Sequence, residues 1–335
     1  MYLLEKALQG IDHDTIPVWF MRQAGRYSSS YREYRSRYSF KEMCLNPEIV
    51  ADITLSPVER LGVDAAIIFS DITLPAEAMG FKIEFIDNVG PTVLNPLSRE
   101  GQFHDFDSSE MAYPLAKSIQ IVRERNVSVP IIGFVGGPLT IASYLVDGRP
   151  DPELKRTKKY LFSRERAFMD LMDSICEMVI ELSKLQIGAG CSVIQIFDSW
   201  AGNLSTHQLL EYADRYLSPI ASELSKIKVI YFSTQTGGNL KALRNSGFRF
   251  FSVDWRTDMA AASISMGDEI GLQGNLDPVL ASGPLDVSLQ ETHRILDSMK
   301  GKQNYIFNLG HGVLPETPEE NLKAIVEYVH SEAEP

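Results

Sequence analysis

The chain has 335 residues, 44% of them hydrophobic and 23% charged, with a formal net charge of −12 at pH 7. That is the composition of a soluble globular protein long enough to bury a large core without disulfides; no run reaches the ~18 apolar residues of a membrane span, and the acidic balance disfavours non-specific nucleic-acid binding. Cys44, Cys176 and Cys191 are odd in number and far apart, which argues against a disulfide framework and a structural zinc site; with no secretory signal in MYLLEKALQGIDHDTIPVW, a reducing cytoplasm is the expected home.

In chain order, the first strand-like run covers residues 17–20 and leads into MRQAGRYSSSYREYR. Five arginines, at 22, 26, 32, 35 and 37, stand there against a single acid, Glu33. An arbitrary cluster of this kind is a solvated basic face. In an acidic protein it is also a local positive potential for an anion. Arg22 and Arg26 lie four residues apart around Gly25, so a turn or helical start can aim both guanidiniums at one spot. Arginine suits bidentate recognition of carboxylates.

A helix is expected over 47–61, then a strand over 65–69 running into Ser70-Asp71. Taken alone, Asp71 reads as an N-cap for the following LPAEAMG. Its other reading is a carboxylate presented to N–H groups of a ligand. A helix over 108–125 and a strand over 131–135 precede Gly136-Gly137-Pro138. The glycines are not spaced as GxGxxG and no Walker lysine follows, so a strand, a tight turn and a helix opening near Pro138 are expected, with Tyr144 one or two turns in. A helix over 163–185 and a strand over 193–197 lead into Asp198-Ser199-Trp200. Ser199 lacks a GxSxG elbow and reads as a hydrogen-bond donor rather than a nucleophile; Phe197 offers a ring.

Helices over 207–224, 239–245 and 317–330 alternate with strands over 229–232, 250–253, 270–273 and 305–308. Ser205-Thr206 looks like a helix start, and Asp277-Pro278 and Thr317-Pro318 look like an N-cap followed by proline at N1. The last strand runs into Gly310-His311-Gly312, where flanking glycines permit close ligand approach. No other histidine stands at ligand spacing with His311, so no metal is expected.

Eight runs of nearly continuous hydrophobicity alternating with helices suggest a closed parallel barrel, with a doubly wound open sheet as the rival. Polar residues follow almost every run. A barrel would gather them all on its C-terminal rim, whereas an open sheet would gather only some at its switch point.

Seven segments, PVWFMRQAGRY, FSDITLPAEAMG, GPLTIASYLVDG, QIFDSWAGNLS, VDWRTD, LQGNLDP and FNLGHGVLPETP, resemble the uroporphyrinogen decarboxylase family in order and over essentially the whole chain. The resemblance implies an α/β protein with a single, somewhat distorted (β/α)8 TIM barrel domain over residues 1–335, forming a homodimer with its cleft at the C-terminal ends of the strands. It implies a tetrapyrrole substrate, uroporphyrinogen, whose four acetate arms become methyls, with no cofactor, metal, nucleic acid or membrane. The matched substrate-binding positions are Arg22, Gln23, Arg26, Arg35, Asp71, Tyr144, Phe197, Ser199 and His311, of which Asp71, Arg22 and Tyr144 would be catalytic.

The chain departs from the family pattern at Ser29-Ser30, where Pro-Glu is common, at Leu139, where an aromatic is common, at Ser252, where glycine is usual, and in YFSTQTGG, which lacks a basic residue. Two other readings remain. A zinc-dependent corrinoid methyltransferase would need ligands that YFSTQTGG does not offer. A non-catalytic tetrapyrrole-binding protein would not need an unpaired carboxylate beneath the ring.

Overall fold

Strands covered by helices on one side and by one another on the other should be buried along their length, and these are. A computed structural model describes residues 1–332 apart from 88, 100, 126 and 127. Its main sheet contains β1 (Ala66–Ile67), β4 (Ile131–Gly136), β5 (Val193–Phe197), β6 (Val229–Phe232), β7 (Phe250–Ser252), β8 (Gly271–Gln273) and β9 (Tyr305–Ile306), all parallel and paired in that order. A separate antiparallel hairpin, β2 (Ile83–Ile86) with β3 (Gly90–Val93), was not expected from the sequence. The sheet curls, and the helices outside it follow in succession. Pro47–Leu61 packs on Ser108–Arg125, and that helix packs on Glu165–Ala189. The last helix, Glu319–Ser331, packs on both Leu285–Ser298 and Pro47–Leu61, so the outer layer meets itself.

The expectation of eight strands is corrected to seven among the described residues. Residues 17–20 form one parallel bridge, Val18 with Phe307, and no ladder. The reason lies in where the backbone donors go. Pro17 has no N–H. The Val18 N–H donates to the Asp64 carboxylate (2.8 Å), that of Phe20 to the Gln23 side chain (3.0 Å) and that of Met21 to the Asn308 side chain (3.0 Å). Only Trp19 donates to a neighbouring backbone, the Phe307 carbonyl (3.3 Å). The segment still touches both edges of the sheet, because Phe307 donates to Pro17 (2.9 Å) and Asp64 donates to Val18 (2.8 Å).

A chain of buried amides fastens it from inside. Trp19 Nε1 donates to Gln273 Oε1 (2.9 Å); Gln273 Nε2 donates to Gln195 Oε1 and Ser252 Oγ (both 3.1 Å); Gln195 Nε2 donates to the Ile230 carbonyl (3.2 Å). Ser252, one of the departures from the family pattern, is thereby explained locally: its hydroxyl accepts a hydrogen bond from Gln273 that a glycine could not.

Helix starts follow their capping chemistry. Ser205 and Gln208 form a reciprocal capping box, and Asp277 accepts from the Val279 N–H (2.9 Å) with Pro278 at N1. Thr317 is not a cap; Pro318 takes that position without a side-chain bond. The helix expected over 163–185 is present as Glu165–Ala189, and a separate, unexpected helix, Lys155–Ser163, precedes it. No helix among the described residues is long and apolar enough to cross a membrane.

Asp64 is shared at the seam. The oxygen that takes the Val18 N–H also lies 2.8 Å from His330 Nε2 on the last helix. That hydrogen bond raises the His330 pKa above its ordinary 6.5, against burial. A raised folded value means that the stabilisation is complete below the unfolded pKa and is lost as pH rises through the folded one. His330→Gln should therefore lower the melting temperature more at pH 6 than at pH 9, by no more than ~1 kcal/mol in stability because the pair is partly solvated. An equal loss at both pH values would assign the effect to packing alone.

Candidate active site

Close approach of two turns, after the first run and after β9, builds the first part of the site. Arg22 sits in the left-handed region at φ 61°, a conformation that costs a non-glycine residue about 1–2 kcal/mol. Surrounding bonds hold it there. The Val313 N–H donates to the Met21 carbonyl (2.8 Å), the Gln23 N–H to the Phe20 carbonyl (2.9 Å) and the Tyr27 hydroxyl to the Gln23 carbonyl (2.7 Å). A β-carbon at Gly312 would fall 2.4 Å from Cδ of Arg22, and one at Gly25 would fall 2.7 Å from the Arg22 carbonyl oxygen. Both glycines leave room for this arginine. Gly310 does the same for the Trp255 backbone, 2.2 Å from where its β-carbon would stand.

Asp71 follows β1 and retains some solvent contact while densely surrounded by protein. Its Oδ1 accepts from both the N–H (2.7 Å) and the hydroxyl (2.5 Å) of Thr73, at the start of the short helix Leu74–Met79. The N-cap position is Thr73, so Asp71 is not the cap itself; it fixes the turn that leads into the helix. Burial raises its pKa, and the two Thr73 bonds and the positive charge of Arg22 oppose the rise. Tyr144 lies in the electrostatic reach of the same pair. Burial lifts its phenol well up, Asp71 adds to the rise and Arg22 subtracts from it.

Tyr144 is carried by the helix Pro138–Asp147, whose first turn is bonded to the end of β5. The fully buried Asp198 accepts from the Thr140 N–H (2.9 Å), the Tyr231 hydroxyl (2.9 Å) and the Tyr212 hydroxyl, and Tyr212 in turn accepts from the Leu139 N–H (3.1 Å). The Trp200 N–H donates to Thr140 Oγ1 (3.2 Å), and the Tyr144 and Trp200 rings stack with centroids 4.9 Å apart. Leu139 replaces the family's aromatic beside this network and is itself buried.

Aromatic rings continue around the strand ends. Phe134 meets Phe197 (5.6 Å), Phe197 meets Phe232 (6.0 Å), Phe232 meets His311 (5.9 Å) and His311 meets Trp255 (6.3 Å). His311 is driven down to a pKa of about 4, first by burial and then by Arg22 and Arg256. It is a neutral donor or acceptor at working pH.

The structure therefore brings Arg22, Asp71, Tyr144, Phe197 and His311 to one end of the sheet. Ser199 joins them in the turn after β5; its carbonyl is held by the Thr234 hydroxyl (2.7 Å), and its hydroxyl has no partner among the described residues. Arg26 and Arg35 both act electrostatically on Tyr31, which packs on Phe69 two residues before Asp71. Arg35 is already paired with Asp87 beside the hairpin (2.7 Å). Gln23 is different. It is fully buried, accepting from the Phe20 N–H (3.0 Å) and donating to the Ala65 carbonyl (2.9 Å), so its side chain braces the first run against β1. Sequence reading places Trp200 and Trp255 after their strands without giving them a role, and gives Arg256, in VDWRTD after β7, none either. Among the described residues, no group of three or more metal-ligating side chains occurs.

Gly312→Ala should push the Arg22 side chain out of place while leaving the fold intact. A displacement of about 1 Å in a positioning group costs on the order of 10²-fold in turnover efficiency. Unchanged kcat/KM in a variant with a wild-type melting temperature would show that Arg22 is not used in the seated position.

A curled parallel α/β sheet thus carries cations, a buried carboxylate and an aromatic row at its strand ends, the place where barrel-type enzymes put their chemistry. The model of the uroporphyrinogen decarboxylase (URO-D) family matches residues 1–332. Uroporphyrinogen decarboxylase of Thermoplasma acidophilum is 45% identical over 329 residues, 97% of this chain and 98% of that one. The enzyme of the same name from Picrophilus torridus is 46% identical, covering 95% of each chain. This chain belongs to the uroporphyrinogen decarboxylase family. Among solved structures, a methyltransferase from Methanosarcina mazei shares the fold at a TM-score of 0.82 and 24% identity over 99% of both chains, a likeness of fold alone.

Proposed function

We propose that the protein removes the carboxyl groups of the four acetate arms of uroporphyrinogen, giving coproporphyrinogen and four molecules of carbon dioxide. The reading is carried by the buried Asp71 carboxylate lying in the field of Arg22, with Tyr144 within reach of both at the strand ends. Residues 17–20 complete the wall as an eighth, irregular stave, making the sheet a distorted (β/α)8 barrel. The enzyme acts as a cytoplasmic homodimer without metal or cofactor.

Electron flow sets what the site must do. Protonating the ring carbon next to the one that bears an acetate arm makes the pyrrole a cationic, iminium-like group. The arm's carbon–carboxylate bond then breaks, carbon dioxide leaves, and the bonding pair neutralises the ring as an exocyclic methylene. Protonation of that methylene and loss of the ring proton give the methyl. The net exchange is one proton in and one carbon dioxide out per arm. The pyrrole is its own electron sink, so the protein's share is binding, orientation and charge.

Asp71 faces the pyrrole N–H groups and stabilises the cation. Its ionised form is disfavoured while the site is empty and favoured as positive charge develops, so the interaction strengthens toward the transition state. Arg22, Arg26 and Arg35 pair with carboxylate arms; Arg35 exchanges Asp87 for one of them. Ser199, Tyr144 and His311 orient the remaining carboxyls by hydrogen bonds, and Phe197 packs against the macrocycle.

Asp71→Asn keeps the shape and removes the charge, and kcat should fall at least ~10²-fold in an anaerobic assay counting product carboxyls. Near-normal kcat would remove Asp71 from this role. Thr73→Val deletes a hydrogen bond that lowers the Asp71 pKa, so the acidic limb of the kcat/KM profile should move to higher pH. A limb that stays in place would mean that another group governs it.

A further inference from the structure

The turn after β7 carries a cation for which the roles above leave no use. Asp254 is fully buried and accepts from the Gln235 N–H (2.9 Å), the Thr257 hydroxyl (3.3 Å) and Nη1 of Arg256 (2.7 Å), while Asn275 Nδ2 donates to its carbonyl (2.9 Å). One end of the Arg256 guanidinium is therefore fixed. Its plane is fixed as well, with Cζ 3.9 Å from the centroid of the Trp255 ring. Yet the side chain is 49% exposed, and its Nε and Nη2 donors have no hydrogen-bond partner among the described residues. An arginine present only to neutralise Asp254 would turn both prongs of its fork onto that carboxylate. This one uses a single prong.

The open donors belong to the rim of the site. Trp255, beneath Arg256, meets the His311 ring edge-on, and the close passage of Gly310 over the Trp255 backbone locks the two turns together. His311 lies in the field of Arg256 and of Arg22, whose side chain rests on Gly312.

We propose that Arg256 is a further carboxylate-binding residue, holding one arm of the substrate together with Arg22 across His311. The proposal rests on the uroporphyrinogen reading and deepens it. A pre-oriented fork anchored by Asp254 loses little freedom on binding, which favours arginine over lysine at this position.

The decisive variant is Arg256→Lys, which retains the charge that Asp254 requires and loses the fork and the stacking. Anaerobic decarboxylation of uroporphyrinogen should show KM raised ~10-fold with kcat changed much less, since the contact is made in ground and transition states alike. Raising the salt concentration should shrink the difference. The affinity of oxidised uroporphyrin, followed by tryptophan quenching, should fall in parallel at an unchanged melting temperature. Wild-type KM and uroporphyrin affinity in Arg256→Lys would overturn the proposal and leave Arg256 as the counterion of Asp254. If the wild-type protein binds uroporphyrin without turning over uroporphyrinogen, the catalytic reading fails and the affinity of the variant still judges Arg256. Wild-type protein that does neither overturns both.

Discussion

A buried carboxylate at the end of β5 governs how the site is assembled. Asp198 has no solvent contact, and an ionised carboxyl in that position is tolerable only with its lone pairs occupied. The occupants are the backbone of Thr140 and the hydroxyls of Tyr231 and Tyr212. They belong to three separate segments, so one side chain ties the helix that carries Tyr144 to β5, to β6 and to the helix Thr206–Tyr212. Gly137 is part of the same constraint, because a β-carbon there would lie 2.2 Å from that of Asp198. Losing either tyrosine hydroxyl would leave the carboxyl under-satisfied and loosen the joint between the helix carrying Tyr144 and the turn carrying Ser199 and Trp200.

Electrostatics divides the site into unlike halves. Arg22 and Arg26 form no ion pair among the described residues, so their charge is available to an incoming anion. In an acidic protein this local excess attracts a polycarboxylate that the net charge would repel. Asp71 shows the opposite economy: burial works against its charge, and a cationic ring is what would relieve it. In the proposed mechanism, binding through the arms and catalysis through the ring fall to different residues, which suits a macrocycle that must present four similar arms in turn.

Much of this was legible in the sequence, and the failures have physical causes. The parallel strands announced themselves by continuous hydrophobicity, and the residues after them by being polar where nothing apolar was needed. Gly310 and Gly312 read as room for a ligand; the close neighbours they admit are the Trp255 backbone and the Arg22 side chain. The run at 17–20 looked like a strand because hydrophobicity reports burial, not where the N–H groups bond; Asp64 and Asn308, which capture two of those donors, lie far away in the chain. Gln23 enters as one of the family's matched positions; that its side chain bonds Phe20 and Ala65 is visible only in three dimensions. The hairpin β2–β3 escaped notice because its residues alternate only weakly. Arg256 escaped because its importance depends on Asp254 holding one prong of its fork, a relation visible only in three dimensions.

The amide chain from Trp19 through Gln273 to Gln195 has an evolutionary corollary. Each member supplies what the next requires, so replacing any one by an apolar residue strands a polar partner in a dry interior. Sequence drift at these positions is therefore gated: single changes are penalised, and viable ones arrive as sets. Residues 19, 195 and 273 should be inherited as a block even in relatives whose surface helices have diverged widely.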